Sequence, residues 1–169
     1  MTVESHFENH KSVIETELGK AQKSVFIAVA WINFKEYKDI FKSILDRKLQ
    51  LEIICTDNKQ NRSHKSVIKD LENQGATIKL LKMPRATNHM HHKFGVIDES
   101  KILRSSFNWS PNAVKSFENL LIISDAPQTT TEFLNKFDKL KRIQPAAIKF
   151  LQKTKRCKKH GCGGELFNI

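Results

Sequence analysis

Within residues 90 to 110, MHHKFGVIDESKILRSSFNWS, five polar side chains recur at spacings that an ordinary hairpin does not require: His91, Lys93, Asp98, Ser106 and Asn108. On an extended strand residues i and i+2 share a face, so His91 and Lys93 point one way while His92 and Phe94 point the other. Ser106 and Asn108 repeat that relation on the partner strand. A cation, an amide and a hydroxyl beside an imidazole form a place where the equatorial oxygens of a phosphate can be held as charge develops on them. A neutral imidazole is itself a competent nucleophile towards phosphorus, provided a carboxylate or carbonyl on its other ring nitrogen fixes the tautomer. Glu118, in SFENLL, is the candidate for that orienting role. Asp98, at the bend, is expected to hold Lys93 or the turn rather than to touch a ligand. Taken singly, each of these residues also fits an ordinary strand, surface or turn position. The combination at fixed offsets is what points to chemistry.

The series His91-x-Lys93-x4-Asp98-x6-Ser105-Ser106-x-Asn108 resembles the signature of the phospholipase D superfamily, H-x-K-x4-D-x6-G-S-x-N. Ser105 stands where that pattern has glycine, a position of close backbone approach, and is expected to tilt the second strand slightly without removing a reacting group. The resemblance covers roughly residues 6 to 144. It implies an α/β fold with the motif on a late strand-turn-strand segment, followed by a glutamate. It also implies two histidines on opposite sides of phosphorus, one attacking and one acting first as acid and then as base. A second H-x-K is missing here, because His64 is followed by Lys65 and Ser66, and His10 by Lys11 and Ser12. The chain therefore encodes half an active site, and a two-fold homodimer that brings His91 of each protomer to one shared site supplies the other half. No cluster of carboxylates suited to Mg²⁺ lies nearby in the sequence, so metal-independent, cofactor-free chemistry is expected, as the resemblance also implies.

The elements that must position these groups follow from hydrophobic periodicity. Residues 6 to 22 approximate a helix face, residues 24–32 read as a continuous apolar strand, and FKEYKDIFKSILDR carries the 3, 4, 7, 8 spacing of an amphipathic helix. A strand at LQLEIICT, a polar stretch at residues 57–65, a helix near residues 67–74 ended by Gly75, and a strand at ATIKLL come next. Such alternation predicts parallel strands with crossover helices. HHKFGVID and KILRSS read as a hairpin, and FENLLIIS as one more strand. A last helix near PQTTTEFLNKF has the capping-box spacing of Thr129 and Glu132, with Phe133, Phe137 and Leu140 facing inward. The expected fold is thus α/β, a mixed β-sheet flanked by helices on both faces, in a catalytic domain over residues 1–145, with a basic, Gly- and Cys-containing tail over residues 146–169.

The 169 residues carry 29 Lys and Arg against 18 Asp and Glu, a formal charge of +11, so the folded surface attracts polyanions. Lys59, Arg62 and Lys65 in DNKQNRSHK, and KTKRCKK near the C-terminus, are candidate contacts to a phosphate backbone, each equally a solvated stretch. Phe107 and Trp109, flanking Asn108, either stack on bases or belong to the core. These features favour a phosphodiesterase acting as an endonuclease, with DNA ahead of RNA as the partner. The alternatives are a lipid phosphodiesterase of cardiolipin type and a non-catalytic nucleic-acid-binding module. Single-motif relatives linked with cardiolipin carry an N-terminal membrane anchor, and MTVESHFENHKSVIE reads as neither anchor nor secretory leader. The longest apolar run, SVFIAVAWINF, is about half of the ~20 residues a spanning helix needs, so no integral membrane association is expected. Cys55, Cys157 and Cys162 make no even disulfide framework, consistent with a reducing, cytoplasmic setting. Cys157, His160 and Cys162 present three local ligands of a zinc site that would need a fourth, with ordinary thiols in a basic tail as the competing reading.

Overall fold

The computed structural model describes residues 1–85, 88–111 and 116–144. In chain order the elements are β1 (Thr2–His6), α1 (His10–Gly19), β2 (Ser24–Val29), α2 (Lys38–Asp46), β3 (Gln50–Thr56), α3 (Lys59–Arg62), α4 (Lys65–Asn73), β4 (Thr77–Leu81), β5 (Lys93–Ile97), β6 (Lys101–Ser105), β7 (Leu120–Ser124) and α5 (Pro127–Arg142). The strands build one seven-stranded sheet in the order β1-β7-β6-β5-β2-β3-β4. β3 runs parallel to β2 and β4, as the crossover helices between them require, whereas β5, β6, β7 and β1 pair antiparallel along the other half.

Alternation along the central strands divides the core into two layers. Val25, Ile27 and Val29 of β2 and Leu51, Ile53 and Cys55 of β3 join Ile14 and Leu18 of α1, Phe41, Ile44 and Leu45 of α2, and Ile68 and Leu71 of α4. Ala28, Ile54, Phe94 and Val96 face the other way and meet Phe137 and Leu140 of α5. Each fully buried aliphatic or aromatic side chain of this kind contributes about 1.5–3 kcal/mol relative to exposure. The expected mixed sheet with helices on both faces is therefore what forms.

Three local expectations change. The first element is the edge strand β1, paired Thr2 to Ser124 and His6 to Leu120, and the helix begins only at His10. A strand stabilised by its backbone ladder carries no apolar alternation, since four of its five residues are exposed. The polar stretch after β3 contains one helical turn, α3, capped by the Asn58 side chain accepting from the Asn61 N–H. No capping box forms at α5. Pro127 at the first helical position replaces it, while Thr130 and Thr131 hydroxyls donate back to the Ala126 and Pro127 carbonyls at 3.0 and 2.9 Å. Gly75, at φ 110°, ends α4 as the left-handed position there demands.

Candidate active site

Parallel α/β sheets leave a crevice beyond the carboxyl ends of their strands. The H-x-K segment reaches that edge because β5 runs antiparallel to β2, which sets its first residue, Lys93, opposite Val29, the last residue of β2. Two contacts fix the approach: the Ala30 N–H donates to the His92 carbonyl at 2.9 Å, and the Thr56 hydroxyl donates to the Met90 carbonyl at 2.8 Å. Below them lies Asn61, fully buried. Its Nδ2 donates to the Ala30 and Thr56 carbonyls at 2.8 and 2.7 Å, and its Oδ1 accepts from the Ile32 N–H at 3.1 Å. One amide thus staples the ends of β2 and β3 together and fixes the turn that carries Trp31.

His91 precedes β5 and is exposed, whereas Lys93 is 6% exposed. The Lys93 Nζ sits 3.1 and 3.2 Å from the two ring nitrogens of His91 and donates to the His91 carbonyl at 3.1 Å. The Lys93 charge is the largest influence on His91 and, with burial and His89, pushes its pKa below the usual imidazole range. Burial and the Arg104 charge lower Lys93 in turn, against the opposing effect of Glu118. Trp31, 37% exposed, stands edge-on to the His91 ring at 6.1 Å and walls one side of it.

The second half of the motif lies just past β6, which ends at Ser105 rather than continuing through Ser106. Ser105 is 1% exposed, and its hydroxyl donates to the Phe107 carbonyl at 3.1 Å, so the serine in the glycine position closes the bend instead of disrupting it. Ser106 donates its hydroxyl to the Glu118 carboxylate, accepts from the Asn119 N–H at 3.0 Å, and pairs its own N–H with the Asn119 carbonyl at 3.0 Å. The Asn108 side-chain oxygen is buried with no hydrogen-bond partner among the described residues, which leaves bonding capacity unfilled in this loop. Glu118, expected to orient His91, is instead occupied by Ser106: the loop before β7 delivers it to the hydroxyl, and Lys93 is the group against the imidazole.

Asp98 does not hold Lys93. It sits at the far end of β5, about 16 Å away at ~3.3 Å per residue, with φ 51° in the hairpin turn. Its carboxylate accepts from the Gln22, Lys23 and Ser24 N–H groups at 2.7 to 3.1 Å, clamping the turn to the start of β2. Burial alone would raise this carboxyl, but the backbone donors outweigh it and hold its pKa below the usual range.

The base-stacking reading of Trp109 is overturned. It is 1% exposed, its ring lies 5.2 Å from Tyr37, and its backbone bridges Ile32, because the loop must fold inward to place Asn108 beside the strand ends. Phe107 is buried too, against the His10 ring at 4.8 Å. Lys59, Arg62 and Lys65 are exposed on α3 and at the start of α4. Of these, Arg62 is paired with Asp57 at 2.6 Å, which neutralises it. Cys157, His160 and Cys162 lie outside the described residues, as does the tail from residue 145 onward. Cys55 is buried in β3, and burial pushes its thiol up to about 12. Among the described residues no three His, Cys, Asp or Glu side chains gather as metal ligands would, and no helix is long and apolar enough to cross a membrane.

Asn61, Trp31 and Arg104 are the neighbours of the site that the motif does not reveal. Asn61 was hidden in a run of polar residues, Trp31 in an apolar strand, and Arg104 in a hairpin whose faces only the register distinguishes.

The family described as "Cardiolipin synthase, PLD-like domain" matches residues 14–141. A curated relative, the mitochondrial cardiolipin hydrolase of Chlamydomonas reinhardtii, is 32% identical over 124 residues, 73% of this chain and 53% of that protein. The chain thus spans about half the length of that relative. Among solved structures, Nuc of Salmonella typhimurium, a phospholipase D family member, superposes with TM-score 0.68 at 18% identity over 82% of this chain and 92% of its own. NucT from Helicobacter pylori gives TM-score 0.68 at 22% identity over 82% and 94%. These two likenesses establish the fold.

Proposed function

The chain belongs to the phospholipase D superfamily, and from that premise we propose that it hydrolyses phosphodiesters of nucleic acid by way of a phosphohistidine, at a site shared by two copies of the chain. The observation that carries this reading is the buried Lys93 ammonium 3.1 and 3.2 Å from the nitrogens of an exposed His91. A neighbouring positive charge disfavours the imidazolium, so the ring is kept neutral and nucleophilic at neutral pH. In the first step the neutral His91 of one copy bonds through a ring nitrogen to phosphorus and the P–O bond to the leaving group breaks, while the partner's His91, protonated beforehand and held as imidazolium by the bound phosphodiester anion, gives its proton to the departing oxygen. Water then attacks phosphorus, the N–P bond breaks, and the partner's His91 takes the water's proton. Lys93 and the Asn108 side-chain NH₂ are assigned to the non-bridging oxygens, and Ser106 is held in place by Glu118 and Asn119.

Nucleic acid is favoured as substrate by the formal charge of +11, which raises the local concentration of a polyanion. The second reading is a lipid phosphodiesterase, favoured by the relative named a mitochondrial cardiolipin hydrolase. The test incubates the protein in excess EDTA with single-stranded DNA, duplex DNA, RNA and cardiolipin vesicles, beside the His91→Ala variant. Cleavage of a nucleic acid that the variant lacks supports the proposal. Head-group release from vesicles with every nucleic acid intact overturns it in favour of the lipid reading, and binding without turnover overturns the enzymatic account.

A further inference from the structure

On the α5 side of the sheet, a cleft of about 290 Å³ opens between β5, β6 and α5, lined by His92, Phe94, Arg104, Glu132, Phe133 and Lys136. At ~30 Å³ per water it has room for a phosphate and several waters. Arg104 comes from β6 directly opposite Phe94, and so shares that face of the hairpin, while Lys136 projects from α5. Both cations are exposed, and neither is ion-paired with a carboxylate among the described residues. Arg104 gives Nη1 to the Ser105 carbonyl, and its other N–H groups make no hydrogen bond among the described residues. Glu132 is the opposing charge on the rim. By contrast Arg62, Lys38 and Lys141 of the same protein are all neutralised by carboxylates at 2.6 to 3.0 Å.

The cleft adjoins the active site through the backbone. His91 and His92 are consecutive and diverge to the two sides of the strand edge, with His92 packing 5.6 Å from Phe94 inside the cleft. Arg104 acts on both sites, since its charge contributes to lowering Lys93 as well as His92. A polyanion crossing the strand edge at His91 therefore has a second region of exposed positive charge, Arg104 and Lys136, on the adjoining face.

We propose that this cleft binds a phosphate of the nucleic-acid strand next to the one being cut, with Arg104 and Lys136 as its ligands and Glu132 limiting its affinity. The proposal rests on the nuclease reading above and adds that a substrate carrying more than one phosphodiester is bound more tightly than one carrying a single phosphodiester. Nothing in the cleft reads a base, so the contact is independent of sequence.

The test compares Lys136→Gln and Glu132→Gln in the full chain on three substrates: a single-stranded DNA oligonucleotide, bis(p-nitrophenyl) phosphate, which has one phosphodiester, and cardiolipin vesicles. Lys136→Gln is expected to raise KM for the oligonucleotide about 3- to 10-fold with kcat held, and to flatten the salt dependence by about one phosphate contact. Glu132→Gln is expected to lower KM by a similar factor. The ratio of oligonucleotide to minimal-diester efficiency moves in opposite directions in the two variants. Loss of turnover on both the oligonucleotide and the minimal diester in parallel, or an unchanged oligonucleotide KM in both variants, overturns the proposal. An effect of Lys136→Gln on cardiolipin vesicles alone assigns the cleft to a lipid and overturns it as well. Failure of the parent protein to hydrolyse any diester sinks the catalytic reading instead, so the two failures are told apart.

Discussion

Replacing Asn61 by alanine tests how the site is held. The change removes two donors and one acceptor from a position with no solvent access. The Ile32 N–H, bonded at 3.1 Å to Oδ1, is left without a partner, at a cost of about 1–3 kcal/mol. The Ala30 carbonyl keeps the Thr56 N–H at 3.1 Å, so it loses only the net value of one bond, about 1 kcal/mol, and the Thr56 carbonyl loses about the same. The sum is about 3–5 kcal/mol, a large part of the ~5–15 kcal/mol that keeps a domain folded. For a domain of this size it lowers Tm by about 10–15 °C. Thermal unfolding followed by circular dichroism reads this directly. The same staple sets the turn at Trp31 and the Ile32–Trp109 bridge beside Asn108, so activity measured well below the variant's Tm is expected to fall about 10²-fold, the cost of a small misplacement of reacting groups. Asn61→Asp keeps the volume and the acceptor but turns a carboxylate on two carbonyls, and is expected to be at least as damaging. A Tm drop of only a degree or two in Asn61→Ala refutes the energetic argument. Full activity in a destabilised variant refutes the positioning argument.

Other outcomes follow from the same geometry. Lys93→Met removes the charge that disfavours imidazolium at His91, so His91 stays protonated to higher pH; the acidic limb of kcat/KM moves upward while kcat falls about 10²–10³-fold, and a loss of rate with an unmoved limb contradicts this. Trp109→Ala is expected to cost about 3–5 kcal/mol in urea unfolding, whereas the milder Trp109→Phe leaves nucleic-acid affinity unchanged; a loss of affinity in folded Trp109→Phe restores the stacking role. Asp98→Ala is expected to cost about 1–3 kcal/mol at neutral pH. Because its folded pKa is depressed, that stability is present above the ordinary carboxylate range and disappears as pH falls through the folded value, so parent and variant converge only below the ordinary carboxylate range in denaturant titrations.

Much of the fold is readable from periodicity. β2 and β3 are apolar on both faces because helices cover both, and α2 shows its stripe through Phe41, Ile44 and Leu45. β1 is not readable, since an exposed edge strand needs only backbone partners. For the site, fixed spacing brings His91 and Lys93 together because strand geometry is local. Long-range partners escape this reasoning. The donors to Asp98 lie at residues 22–24, and the residues that Asn61 binds lie on two strands, so chain topology alone decides them. Glu118 has the right charge and place in the chain, yet which neighbour it engages depends on the angle at which the loop enters β7. Trp109 was ambiguous for a simpler reason, as an aromatic beside a polar residue suits a core and a stacking surface equally.

The central claim is that His91 carries the phosphoryl group between the two halves of the reaction. Mixing the protein with labelled oligonucleotide in EDTA, quenching within one turnover at alkaline pH to preserve a phosphoramidate, and mapping the peptides by mass spectrometry tests it directly. The account predicts an adduct on His91, absent from His91→Ala. An adduct on a different residue, or turnover that passes with no adduct at any quench time, contradicts it.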